Sequence, residues 1–302
     1  MKTLVTGALQ ATEEELNKLR ALGLEITLHP DERATVAQPE QYEAVICNGL
    51  FVYHDIAQFS NLRYIQLTSA GYDRVPMDYI RVHGIEIHNA AGVYSVPMAE
   101  WTIMRILELY KNAARIYENQ AAHQWEKDRS WQELSGKIAC IIGFGAYGQA
   151  VAERLRAFGV KVCIVNRRMH ESMREYSCYD LGQLEQALSE ADIVILAIAL
   201  TPETRHLIDK RSLDVMKDDA VLINAARGAL IDESALVKVL DAGKFRGVAL
   251  DVFEQEPMSE DSKLWSCERV LLSSHNSFVG EKNHSRLIER ITVNLTGWGT
   301  QQ

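Results

Sequence analysis

A chain of 302 residues, 47% hydrophobic and 24% charged, is long enough to bury one large core or two of ordinary size. A net charge of −9 with no long basic run argues against nucleic acid or an anionic membrane surface as the main partner. No uninterrupted apolar stretch reaches the roughly 18 residues that a membrane-spanning helix needs.

The start, MKTLVTGALQ, meets acid at Glu13, Glu14 and Glu15 before the apolar core of a signal peptide develops, so the expected location is the cytoplasm. Residues 2–5 read as a strand, and Thr12 with Glu15 forms a capping-box pattern opening a helix through about residue 22. Short apolar runs at 25–28, 44–47, 64–67 and 85–88 continue the alternation. This predicts a parallel sheet covered on both faces, an α/β domain in its own right. Residues 99–117 predict one long helix, apolar nearly all round through Trp101, Ile103, Met104, Ile106, Leu107 and Leu109, and so buried between domains or subunits. The polar stretch 119–136, with Trp125 and Trp131 set into it, suits a docking arm, and a homodimer through this region is expected.

Residues 137–168, KIACIIGFGAYGQAVAERLRAFGVKVCIVNRR, organise the chain. An apolar strand at 137–142 runs into Gly143, Gly145 and Gly148 at GxGxxG spacing, with Ala146 and Tyr147 inside the turn. Gly143 permits the tight turn, Gly145 lets backbone approach a pyrophosphate, and Gly148 lets the helix pack closely on its strand. The helix N-terminus offers N–H groups and partial positive charge to phosphates. Val151, Leu155 and Phe158 give that helix an apolar face, and a strand at 160–165 completes a βαβ unit. Where an NAD-preferring site shows an acid about 20 residues past the glycines, this chain has Asn166, Arg167 and Arg168. A guanidinium holds a 2′-phosphate that a carboxylate would repel, so NADP(H) is expected over NAD(H), with NAD(H) still usable. The alternative is that the arginines are a solvated pair of loop charges.

A helix around 184–188 and strands at 192–200, 220–224, 247–252 and 270–273 follow. Ligands in open parallel sheets bind beyond the carboxyl ends of the strands. Those ends carry Pro202, then Ala225, Ala226, Arg227 and Gly228, then Asp251 and Glu256, then His275. The closing helical pattern, with Leu287, Ile288, Ile291 and Leu295, returns to the first domain and makes it discontinuous: 1–98 with 281–302, around a dinucleotide domain at 99–280. The five cysteines are odd in number and show no CxxC, which favours buried free thiols over a disulfide framework or metal ligands.

Hydride transfer needs an acid/base near the reacting oxygen and a cation for an anionic substrate. Arg227 supplies a guanidinium beside Gly228, and a carboxylate at Glu256 stabilises an imidazolium at His275 and should raise its pKa. Singly, each is equally readable as a turn arginine, a solvated acid or a structural histidine.

Together, these segments resemble the D-isomer-specific 2-hydroxyacid dehydrogenases. The resemblance runs through the glycine turn, the stretch ALTPETRHLIDKRSLDVMKDDAVLINAARGALIDESALVKVL, GVALDVFEQEP and SSHNSFVGE, with TSAGYDRV and HNAAGVYSVPMAEW near the start. It implies Arg227 on the substrate's carboxylate and carbonyl, His275 as general acid/base paired with Glu256, and Asp251 at the nicotinamide end. It also implies the N–H groups of Ala70 and Gly71 on the substrate carboxylate, and a homodimer. The implied fold is two doubly wound parallel-sheet α/β domains, a central Rossmann nucleotide domain inserted in a discontinuous flavodoxin-like substrate domain, and the implied product is a D-2-hydroxy acid from a 2-oxo acid. Asn166 with its arginines departs from the family's acidic NAD pattern, and HNSF departs from its HxAG-like loop. Phe51, Tyr53 and Tyr94 either favour a bulky substrate substituent or serve packing. A cofactor-sensing, corepressor-like relative is the main alternative, and a formate dehydrogenase-like reaction is disfavoured by Glu256 where those relatives carry glutamine.

Overall fold

The computed structural model describes residues 1–299; residues 300–302, the end of the expected 281–302 segment, lie outside the described residues. The chain divides into two compact units, one formed by 1–94 with the segment from 280 onward, the other by Ser95–Val279.

In the first unit, strands β1 (Lys2–Thr6), β2 (Glu25–His29), β3 (Ala44–Cys47), β4 (Tyr64–Leu67) and β5 (Glu86–His88) form an all-parallel sheet in the order β2-β1-β3-β4-β5. Strands β3 and β4 are buried at every position, because AVIC and YIQL have helices on both sides. Helices α1 (Glu13–Arg20), α2 (Leu50–Tyr53) and α3 (Met77–Val82) connect them. The capping box at Thr12 and Glu15 forms as the spacing predicts.

In the second unit, α4 (Ser95–Tyr110) and α5 (Ala113–Ala121) precede a seven-stranded parallel sheet. Its strands are β6 (Ile138–Ile142), β7 (Lys161–Val165), β8 (Ser177–Tyr179), β9 (Ile193–Leu196), β10 (Val221–Asn224), β11 (Gly247–Leu250) and β12 (Val270–Leu272). The order β12-β11-β10-β9-β6-β7-β8 reverses between β6 and β9, where a doubly wound sheet opens a crevice. Helices α6 (Ala146–Ala157), α7 (Leu184–Glu190), α8 (Lys210–Val215) and α9 (Glu233–Asp241) link the strands, and two buried clusters cover the two faces of the sheet. The final helix, α10 (Asn283–Gly299), belongs to the first unit, where Leu287, Ile288, Ile291 and Leu295 pack with Val5, Ile46 and Tyr64.

Several expectations need correction. The long helix at 99–117 is two helices, broken where Asn112 adopts φ +49°, and α5 buries no residue. Helix α4 buries only one face, through Ala99, Ile103, Ile106 and Tyr110, while Met104 is exposed. Phe158 is not on the buried face of α6: the helix ends at Ala157, Phe158 is exposed, and Ala152 takes its place beside Val151 and Leu155. All five cysteines are free; Cys47, Cys140 and Cys163 are buried, Cys178 and Cys267 half-buried. No helix among the described residues is long and apolar enough to cross a membrane.

Candidate active site

At the end of β6, Gly143 has φ +96° and a side chain there would overlap the Ala197 carbonyl across the switch point. A Cβ on Gly148 would overlap the Gly143 carbonyl, so that glycine permits the close helix–strand approach. Gly145 faces open space and caps α6 without a side-chain hydrogen bond, leaving first-turn N–H groups directed outward, as a dinucleotide pyrophosphate requires. Tyr147 shares a hydroxyl contact of 2.7 Å with Thr102 of α4, and burial holds its phenol above the usual range. The tyrosine ring is thus committed to helix packing, and its place in the turn is left to its backbone.

At the end of β7, Asn166 donates from Nδ2 to the Arg168 carbonyl at 2.6 Å, curling the loop so that Arg167 and Arg168 both lie exposed. Arg167 also helps hold the Glu203 carboxylate below its ordinary range, after the hydrogen bonds from Thr201 and from the Glu203 backbone. The expected strand to residue 200 ends at Leu196, because Thr204 accepts from Thr201 N (2.7 Å) and donates to the Ala199 carbonyl (2.8 Å), folding the segment before Pro202 into a turn.

The end of β10 is fixed by Asn224, which donates to the Arg227 carbonyl (2.9 Å) and accepts from Ala226 N (3.1 Å). Ala225 and Ala226 are buried, and the half-buried Arg227 donates through Nη1 to the Ala226 carbonyl at 2.8 Å. Gly228 is obligatory, since a Cβ would coincide with the Phe253 backbone. The 227–230 turn and the turn after β11 therefore touch main chain to main chain.

Asp251, fully buried at the end of β11, accepts from Ser273 Oγ (2.5 Å) and Asn276 N (2.8 Å) on Oδ1 and from Ser277 N (2.9 Å) on Oδ2, while its carbonyl accepts from His275 N (2.7 Å). This carboxylate organises the loop that carries His275, which sits at φ +50°. Glu256 accepts from Phe253 N through Oε1 (3.1 Å) and meets His275 Nδ1 through Oε2 at 2.7 Å. An imidazole so held presents Nε2 outward, and it is about one-third exposed. The structure thus brings Glu256 and His275 into contact and sets Asp251 beneath them.

In the first unit, Ala70 and Gly71 follow β4. Asn89 donates to the Ala70 carbonyl at 2.6 Å and Ser69 Oγ to the Gly71 carbonyl at 3.2 Å, and neither N–H of this pair has a protein acceptor among the described residues. Phe51 stacks edge-on against Phe59 at 5.5 Å, which is packing, and Tyr94 donates to the Thr68 carbonyl at 2.5 Å. Sequence reasoning missed the role of Asp251 as anchor for residues 273–277, and it missed Glu233 and Glu254 beside Glu256. Asp232–Glu233 at a helix start and the first glutamate of DVFEQEP were the available signals for the two glutamates.

Residues 103–277 match the D-isomer specific 2-hydroxyacid dehydrogenase, NAD binding domain. A glyoxylate reductase of Thermococcus gammatolerans is 36% identical over 227 residues, 71% of this chain and 66% of that protein. A hydroxypyruvate reductase of Thermotoga maritima is 33% identical over 273 residues, 88% of this chain and 87% of that protein. The crystal structure of a glyoxylate reductase from Paecilomyes thermophila superimposes with a TM-score of 0.84 at 28% identity, covering 97% of this chain and 93% of that one. By these matches, and by the sheet orders that position its motifs, the chain belongs to the D-isomer-specific 2-hydroxyacid dehydrogenases.

Proposed function

We propose that the protein is a cytoplasmic, homodimeric 2-oxo acid reductase that prefers NADPH and forms a D-2-hydroxy acid. The observation that carries the reaction class is the Glu256–His275 pair at 2.7 Å, on a loop held by a buried carboxylate. The Gly143–Gly148 turn, with its uncapped helix start and the open space at Gly145, fits a nicotinamide dinucleotide. When bound, the reduced dinucleotide supplies hydride to the substrate's carbonyl carbon.

The chain's own residues do the rest. Arg227 neutralises the substrate carboxylate and stabilises charge growing on the carbonyl oxygen. His275, protonated, donates from Nε2 to that oxygen, and Glu256 at Nδ1 fixes the tautomer and stabilises the imidazolium. The unpaired N–H groups of Ala70 and Gly71 add donors for the carboxylate. Asp251 takes the nicotinamide end in addition to anchoring its loop, and Pro202, Ala225 and Ala226 line the cofactor's path. The exposed Arg167 and Arg168, with no acid at Asn166, support the preference for a 2′-phosphate. Glyoxylate and hydroxypyruvate are the first substrates to test, as the relatives' names suggest.

We rest the homodimer on α5, none of whose residues is fully buried among the described residues, and on Trp125, 97% exposed in the following arm. Initial rates with NADPH and NADH against a panel of 2-oxo acids test the whole reading. Faster NADPH turnover supports it, whereas tight cofactor binding with no turnover of any acid moves the assignment to a sensing role.

A further inference from the structure

Behind the Glu256–His275 pair lies a second set of ionisable groups with no part in the reaction as described. Glu233 opens α9, and its Oε1 accepts from Glu254 N at 2.6 Å. In return Glu254 Oε1 accepts from Glu233 N at 3.1 Å, so the helix start and the turn after β11 clamp each other through two carboxylates. The other oxygen of Glu254 lies 3.2 Å from His206 Nε2 and 3.6 Å from Arg205, both on the loop before α8. His206 sits at φ +51°, and its Nε2 is buried without hydrogen-bond geometry to any acceptor. Asp232, the N-cap of α9, spends its carboxylate on Ala235 N and Ser234 Oγ.

Two residues after Glu254, Glu256 holds His275. Any shift of the 253–256 turn therefore moves the acceptor that fixes the imidazole. The Glu233 carboxyl is pushed above its ordinary range, first by burial and then by repulsion from Glu254 and Glu256, partly relieved by the Glu254 N–H. Three carboxylates thus face two imidazoles and one guanidinium within one network, at the ends of β10 and β11.

We propose that Glu233 is a positioning residue for the reaction: through the reciprocal clamp with Glu254 it fixes the turn that holds Glu256 against His275. This rests on the acid/base role of His275 given above. Glu233→Gln keeps an acceptor for the Glu254 N–H but removes the charge, and Glu233→Ala removes both.

The test uses the full-length protein, with the His275 ring followed by NMR titration and turnover of glyoxylate or hydroxypyruvate followed against pH. Glu233→Gln is expected to keep kcat within about threefold at the optimum. Its pH profile of reductive turnover should match the wild type, since the acceptor that closes the clamp is kept. Glu233→Ala should lower kcat about tenfold and change the alkaline limb of the reductive pH profile, with cofactor KM unchanged, as expected when an oriented acid is loosened. Glu254→Ala, which removes the other carboxylate of the clamp, is the second variant, expected to lower kcat in the same way should Glu233→Ala fold poorly. Wild-type kcat and pH profile in both alanine variants overturn the proposal while leaving His275 in its role. Wild-type turnover with no inflection at the NMR midpoint removes the role of His275, and the proposal with it.

Discussion

At the scale of single residues, His275 is held from three directions: its N–H on the Asp251 carbonyl, its Nδ1 on Glu256, and its ring edge-on to Phe278 at 6.0 Å. His275→Ala is expected to cost roughly 10²- to 10⁴-fold in kcat, with cofactor affinity measured by fluorescence titration left near normal. Near-normal kcat would remove the residue from the chemistry. Asn166→Asp places a carboxylate where a 2′-phosphate would approach Arg167 and Arg168, and the NADPH/NADH ratio of kcat/KM is expected to fall by about tenfold or more, in line with a charge-assisted contact. An unchanged ratio would return the arginines to the role of solvated loop charges. The positions of Arg227, Glu256 and His275 beyond the ends of β10, β11 and β12 were legible in the strand pattern, while the roles proposed for them came from the family resemblance. The anchoring of residues 273–277 by Asp251 was not, since it depends on a pairing across 22 to 26 positions that no local pattern encodes.

At the scale of elements, the short runs at β3, apolar throughout, and β4, apolar but for the buried Gln66, were read to the residue, since burial on both faces leaves one solution. Strand β8, Ser177–Tyr179, carries no such signal, being short, half-exposed and at the sheet's edge. The break between α4 and α5 was missed although Asn112 is a residue type that tolerates the left-handed backbone ending the run, because the apolar pattern around it continues. The outcome is an α5 and arm with apolar side chains facing outward, Tyr117 at 64% and Trp125 at 97% exposure. Replacing both by Glu is expected to convert a dimeric mass in light scattering to a monomeric one at micromolar concentration. A wild type that is already monomeric would end the dimer proposal.

At the scale of the whole molecule, one contribution to acid stability in the second unit comes from Asp192, which accepts from Ile138 N and from Lys217 Nζ, each at 2.8 Å. Burial opposes its ionisation, yet the Lys217 contact, the Ile138 N–H and the nearby Lys137 outweigh it and hold the carboxyl below its ordinary value. A depressed folded pKa means stability that is present above the unfolded value, near pH 4, and lost as pH falls through the folded one. Asp192→Asn should therefore lower stability by about 1–2 kcal/mol at neutral pH and flatten its decline in acid, as read by urea denaturation across pH. The same decline in both proteins would reject the assignment. The first unit raises a different matter, one of order in time. Its core beside Val5, Ile46 and Tyr64 is closed by Leu287, Ile288, Ile291 and Leu295 of α10, yet all of Ser95–Val279 lies between. On the ribosome the inserted unit is complete before the enclosing one receives its last helix, so the earliest-made strands wait longest for their cover. The strands made before Ser95–Val279 keep an open apolar face until α10 follows, and chaperone demand is expected to fall on that interval.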